Sequence, residues 1–299
     1  AESNDPGASS APGYFNTATP GARNGGPETL VIPQQVAFSV TPGTFINIFD
    51  RALSGAVAGQ VIRYTTDGSV PTAASSLYAS PIAVSSSLWI RARVFETATG
   101  ASGAVTGASY EKLAANLSSY GSTGIPFRSS LPILILSKLG SGEFTDDNIY
   151  RDVRLHLFDR DGSGYSGINT TPTLSSYGAA KIRGSSSAGF DKKSYSLELR
   201  KESLDSRALE ILGMPADSDW ALISCDDYDP SFMRNAWVYE AYRRAGRWAP
   251  RTRFVEVFFN QNVNNLDYTA DYRGVYLLCE TIRDRPNRVD ITKLELSDV

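Results

Sequence analysis

The sequence predicts a multidomain chain in which an all-β sandwich is followed by an α+β domain. Three observations carry this. The length of 299 residues allows about two domains. Residues 32–113 break into short β-branched and aromatic runs separated by turn clusters. From residue 131 the texture changes to longer apolar strands interrupted by a well-signalled helix. At 41% apolar and 20% charged, the composition is globular and excludes a disordered or collagen-like chain. With 29 basic against 32 acidic residues, no basic surplus points to bulk nucleic-acid binding. No apolar run reaches the roughly 18 residues of a transmembrane segment, so no membrane span is expected here.

The first 30 residues hold 17 Ala, Gly, Pro or Ser, which marks 1–31 as loop or linker. A charged-then-apolar signal-peptide pattern is not read within them. Strands are expected at 37–41, 61–66, 88–96 and around 109–113, with turns at 41–43, 67–69, 85–87 and 99–102. Short strands at this spacing suggest a sandwich of about 80 residues. In 88–96 alternation puts Leu88, Ile90, Ala92, Val94 and Glu96 on the core face. Trp89, Arg91, Arg93 and Phe95 lie on the other, as cross-strand packing or as a ligand-contacting face. Residues 114–130 read as a polar connector. Further strands follow at 131–138, 153–159, 192–200, 253–259 and 274–280. The helix is expected to start at Asp229 as N-cap with Pro230 in its first position, to repeat Phe232, Ala236 and Tyr239 on one face, and to end at Gly246 after Arg243 and Arg244.

The string YTTDGSVPT at 64–72, the Tyr78–Ile82 step and IRARVF at 90–95 resemble the immunoglobulin-like module found at the C-terminus of chitobiases. Members of that group act as accessory or spacer modules in secreted bacterial proteins. GYFNTATPGARNG at 13–25 is similar to the exit of a lamin-tail-like domain. In the second half, RGSSSAGFDKKSY (183–195), the Ser-x-x-Arg-Asn-Ala helix start at 231–236 and RGVYLLCETI (273–282) resemble the spore-coat-protein-H (CotH) kinase family over 131–294. That resemblance implies an atypical protein-kinase-like fold for 131–299, ATP and Mg²⁺, and phosphorylation of Ser or Thr on secreted or coat proteins.

Chemistry points to the same stretch. A small-residue loop exposing backbone N–H groups, followed by strand lysines, suits polyphosphate binding. The resemblance assigns Arg183, Gly184, Ser185 and Ser186 to the nucleotide-binding turn, with Lys192 and Lys193 as the family's lysine pair. Alternation places those lysines on opposite faces of the strand, and Lys193 is favoured as the phosphate contact. Arg234 and Asn235 match the family's helix-start pair. Glu280 and Glu240 are the two candidates to orient the lysine, and Asp226 and Asp227 are candidate metal ligands. Each has a structural rival: a loop tie for Arg234 and Asn235, a turn for the aspartates, and an ion pair with Arg283 or Arg273 for Glu280. The family's metal-binding aspartates lie later than DITKLELSDV, so the kinase domain is expected to be partial and both chain ends to be cut from a longer polypeptide.

Other signals are weaker. His156 is the single histidine, which excludes a multi-histidine metal site; it is expected to be half-exposed on its sheet. Cys225 and Cys279 are too few for a zinc site or a disulfide scaffold but could form one bridge. DRDGSGYSG (159–167) mimics half a calcium loop, with Ser166 and Thr170 at positions that should be hydrophobic and acidic, so a tight turn is expected. Asn116 and Asn169 fit the N-glycosylation pattern. The loop at 261–272 is longer than the family's usual turn and could alter access or carry a contact surface. The leading expectation is an extracellular or surface-attached kinase with protein substrates. The rivals are a structural or adhesive protein that reuses the fold as scaffold, and carbohydrate binding by the sandwich.

Overall fold

The structure is a computed structural model, and it describes residues 13–15, 28–138, 144, 148–224, 229–261, 264–285 and 287–289. The chain packs as two units, Ala1–Pro42 with Asn47–Glu111, and Gly43–Ile46 with Lys112–Val299. Among the described residues no helix is long and apolar enough to cross a membrane.

The first unit is all β. Its main sheet is antiparallel and contains β1 (Gln60–Thr65), β2 (Ser76–Leu77), β3 (Leu88–Glu96) and β4 (Thr106–Lys112), with β3 between β1 and β4. Strand β3 has the bounds that its apolar alternation predicted. Ile62, Ala92 and Val94 of this sheet pack against Val36 and Leu53 to form the core. The other face of β3 is covered too. The Arg91 Nη1 donates to the Gly68 carbonyl at 3.1 Å, and a Cβ on Gly68 would run into the Trp89 ring. Trp89 is 4% exposed, so the protein's own 67–69 turn occupies the face that was open to a ligand-contacting role. Arg51 is fully buried between the Phe38 and Tyr110 rings, 4.7 and 4.9 Å away. Burial pushes its guanidinium down to about 10, against the raising influence of Tyr110. Part of the segment expected to be linker, Gly13–Phe15, pairs with Glu28–Leu30 as a short hairpin; the rest of 1–27 lies outside the described residues.

The second unit is a closed seven-stranded barrel. Its staves are β5 (Ile133–Ser137), β6 (Arg151–Phe158), β7 (Leu174–Arg183), β8 (Ser194–Arg200), β9 (Asp219–Ile223), β10 (Thr252–Asn260) and β11 (Tyr272–Glu280), in the order β5-β6-β7-β8-β9-β11-β10. All neighbours are antiparallel except β5 and β10, which run parallel and close the ring. Leu134 and Leu136 point into the core, which they share with Val153 and Leu155 of β6, Leu197 of β8, Trp220 of β9, Val257 of β10 and Leu278 of β11. The alternate residues Ile133 and Ile135 point outward, where Leu113, Leu117, Phe127 and Leu266 cover them.

That cover corrects two expectations. Residues 114–130 are not a bare polar connector: α1 (Ala115–Ser118) buries Leu117 completely, and Phe127 is 6% exposed. His156 is fully buried rather than half-exposed, because its outward face is also covered, and its Nδ1 lies 2.8 Å from the Ser175 hydroxyl. The α+β kinase-like expectation for 131–299 is not confirmed, since the described part is a barrel with one helix longer than a single turn, α2 (Arg234–Arg244). Helix α2 starts four residues after the expected first position. Asp229 still caps it from a distance, accepting the Arg234 backbone N–H at 2.8 Å and the Ser231 hydroxyl at 2.5 Å. Gly246, at φ 76°, ends it as expected.

Candidate functional site

At one end of the barrel β7 and β10 end and β8 and β11 begin, and the described residues there line a cavity of about 530 Å³. Strand β8 begins at Ser194, so Lys192 and Lys193 precede it and strand alternation does not separate them. The expectation of opposite faces is therefore corrected: both lysines line this one cavity. Neither amine stands in open solvent, as both side chains are half-buried.

Each lysine is held by a backbone carbonyl. The Lys192 ammonium donates to Val275 O at 2.9 Å and lies 4.8 Å from the ring centres of both Phe232 and Tyr276. Phe232 reaches it from the turn before α2, where its own φ is 59°. Lys193 donates to Ala188 O at 2.8 Å. That carbonyl belongs to the short 3-10 turn Ser186–Gly189, which follows directly on the serine-dense bend. The bend thus positions Lys193 from behind.

The remaining wall is aromatic and cationic. Tyr195, Tyr272, Tyr276 and Phe144 line it, with Gln261 and Arg273. Phe144 packs on Phe259 at 4.8 Å between centroids, and the buried Lys138 ammonium lies 5.0 Å from its ring. Burial raises the Tyr195 phenol above its ordinary value, and the Arg273 charge works against that rise. Burial raises the Tyr272 phenol as well, aided by its hydrogen bond to Glu256. Among the described residues, three cations therefore face the cavity against one carboxylate, the exposed Asp191. Such a lining attracts a polyanion.

The other candidates from the sequence lie elsewhere. Arg183, Gly184, Ser185 and Ser186 do not line this cavity. Gly184 turns the chain at φ 126°, where a Cβ would run into the Ser187 hydroxyl. Arg183 faces a second hollow of about 290 Å³ with Tyr150, Ser196, Asp219 and Arg283. Glu280 is not a partner for the lysines. It stands five residues along β11 from Val275, about 16 Å at strand rise, and it is buried against Arg251 at 2.9 Å and Arg288. Glu240 is engaged by Arg244 at 2.8 Å and by Arg243 on its own helix. Arg234 is 72% exposed and pairs with Asp229 at 3.6 Å, so it ties the turn to the helix start. Asn235, half-buried on α2, does not line the cavity either. Asp226, Asp227 and Cys225 lie outside the described residues.

Among the described residues no group of three His, Cys, Asp or Glu side chains is placed to hold a metal ion. The 159–167 segment is a tight turn in which Asp161 accepts both the backbone N–H and the hydroxyl of Ser163, at 2.7 and 2.5 Å. The amide of Asn116 is tied at both ends, donating to Asp267 at 3.0 Å and accepting from Tyr268 N–H at 3.1 Å, whereas Asn169 is exposed. The 261–272 loop supplies these anchors through α3 (Tyr268–Asp271). Sequence reasoning missed Arg273, Gln261 and the three tyrosines as lining residues. The Arg-Gly pair opening β11 was a usable signal for the first of them.

Comparison with known families matches residues 180–297 to the CotH kinase protein family. Residues 33–107 match the chitobiase/beta-hexosaminidase C-terminal domain. No curated protein matches the chain. The kinase match begins inside β7 and includes Lys192, Lys193 and Arg273. Strands β5 and β6 lie outside it, although the barrel closes through them.

Proposed function

We propose, for a chain that carries a CotH kinase domain behind a chitobiase/hexosaminidase C-terminal module, that the barrel-end cavity binds the phosphates of ATP. The protein then acts as an atypical kinase, passing the γ-phosphoryl to Ser or Thr hydroxyls of extracellular or coat proteins. The observation that carries this reading is the convergence of Lys192, Lys193 and Arg273 on one cavity, with a single carboxylate among its described lining residues. Lys193 uses one of its three N–H groups on Ala188 O and keeps two for phosphate oxygens. The aromatic walls suit a nucleoside, and the volume suits a ligand of that size. Among the described residues no three carboxylate, histidine or cysteine side chains gather to hold a metal ion, so no step is assigned to the metal, and Asp226 and Asp227 stay its candidate ligands. An extracellular or cell-surface location belongs to the same reading, supported by the pairing of these two modules.

The test is transfer of label from γ-labelled ATP to serine or threonine in an added protein, with Mg²⁺ present. Label that depends on both lysines supports the kinase reading. A second reading is favoured by one observation: Glu240 and Glu280, the acids expected to orient the lysine, are both held by arginines. On that reading the domain is a structural scaffold at the cell surface. ATP that is bound but never transferred by the full chain would favour it.

A further inference from the structure

The pairing of β10 with β11 slips by one residue beside the cavity. Val257 faces Gly274 and Phe258 faces Tyr272, so Arg273 has no partner of its own. This is a β-bulge, and Gly274 supports it at φ 78°, a conformation that L side chains avoid. A Cβ on Gly274 would also stand 3.4 Å from the Lys192 ammonium. The bulge breaks alternation, and Arg273 joins Lys192 and Lys193 in the cavity wall. Among the described residues Arg273 makes no hydrogen bond or ion pair, whereas each lysine is already anchored on a carbonyl. A guanidinium offers two parallel N–H groups to a phosphate, which a lysine does not.

We infer that the bulge aims Arg273 at the terminal phosphate of a polyphosphate ligand, and that this arginine makes the cavity prefer triphosphates over monophosphates. The inference deepens the reading of the cavity as a phosphate site and rests on it. Lys192 and Lys193 hold the chain of phosphates from the side of β8, and Arg273 reads its far end from the side of β11.

Calorimetric titration of the full chain with ATP, AMP and inorganic tripolyphosphate tests this, using the native protein, Arg273→Ala, Arg273→Lys and Lys192→Ala/Lys193→Ala. Arg273→Ala is expected to weaken ATP and tripolyphosphate about ten- to a hundredfold, and AMP less than about threefold on the same scale. Arg273→Lys should recover only part of the loss. ATP binding that survives Arg273→Ala unchanged, or an equal loss for AMP, overturns the inference while the cavity reading stands. Native protein that binds none of the three ligands, or a double-lysine variant that binds them normally, overturns both.

Discussion

Arg288 buries its guanidinium between two carboxylates, Asp217 at 3.0 Å and Glu280, against the face of Trp220. Arg251 completes the cluster from the rim. Removing one member of such a set leaves a buried charge uncompensated, so Asp217→Asn should cost about 3–5 kcal/mol in urea unfolding. The pH dependence follows in sign. Burial alone would raise the Asp217 carboxyl, but the Arg288 hydrogen bond and charge and the backbone N–H groups of Asp219 and Ser218 outweigh it and hold it below the ordinary carboxylate range. A group depressed in the folded state stabilises above its unfolded value and loses that contribution as pH falls through the folded one. Native protein should therefore lose stability below about pH 4, and Asp217→Asn should lose less over the same window. Identical acid profiles would contradict this. The residue type at 280 was legible as important, but its partners were not, because Arg251 and Arg288 meet it only through the strand pairing and the return of the chain after β11.

Leu117 shows what the sequence hides at the scale of elements. Its segment has few apolar residues and no period, so it reads as a connector, yet the side chain is fully buried with Phe127, Ile133 and Phe258 on the outer barrel wall. Leu117→Ala should cost about 2–5 kcal/mol, as in a core, whereas a linker position would change stability by less than about 0.5 kcal/mol. Urea unfolding decides between them. Strands with strong local pattern were legible, β3 to the residue and β5, β8 and β10 within a few positions. Strand β9, Asp219–Ile223, was not, since its apolar residues, Trp220–Ile223, neither alternate nor form a run as long as the Leu131–Leu136 run that marks β5. The lysine pair was legible as a pair of neighbouring cations, while its shared side was not: the strand starts after Lys193, and that boundary depends on pairing with β7.

At the scale of the molecule, barrel closure joins β5 to β10 across more than a hundred residues of chain. Such a contact leaves no mark on local periodicity, which is why alternating strands and one helix suggested an α+β domain instead. The same closure brings together the strand ends where the cations gather. A ligand bound only by the folded state stabilises it in proportion to the logarithm of its concentration, about 2.7 kcal/mol at a hundredfold excess over Kd. Thermal unfolding of the full chain with rising ATP and Mg²⁺ is the most direct check. The account predicts a melting temperature that climbs by several degrees and a Lys192→Ala/Lys193→Ala variant that folds alike without nucleotide and gains nothing from it. A melting temperature that ATP leaves unmoved at every concentration, or that rises equally in the double variant, would contradict it.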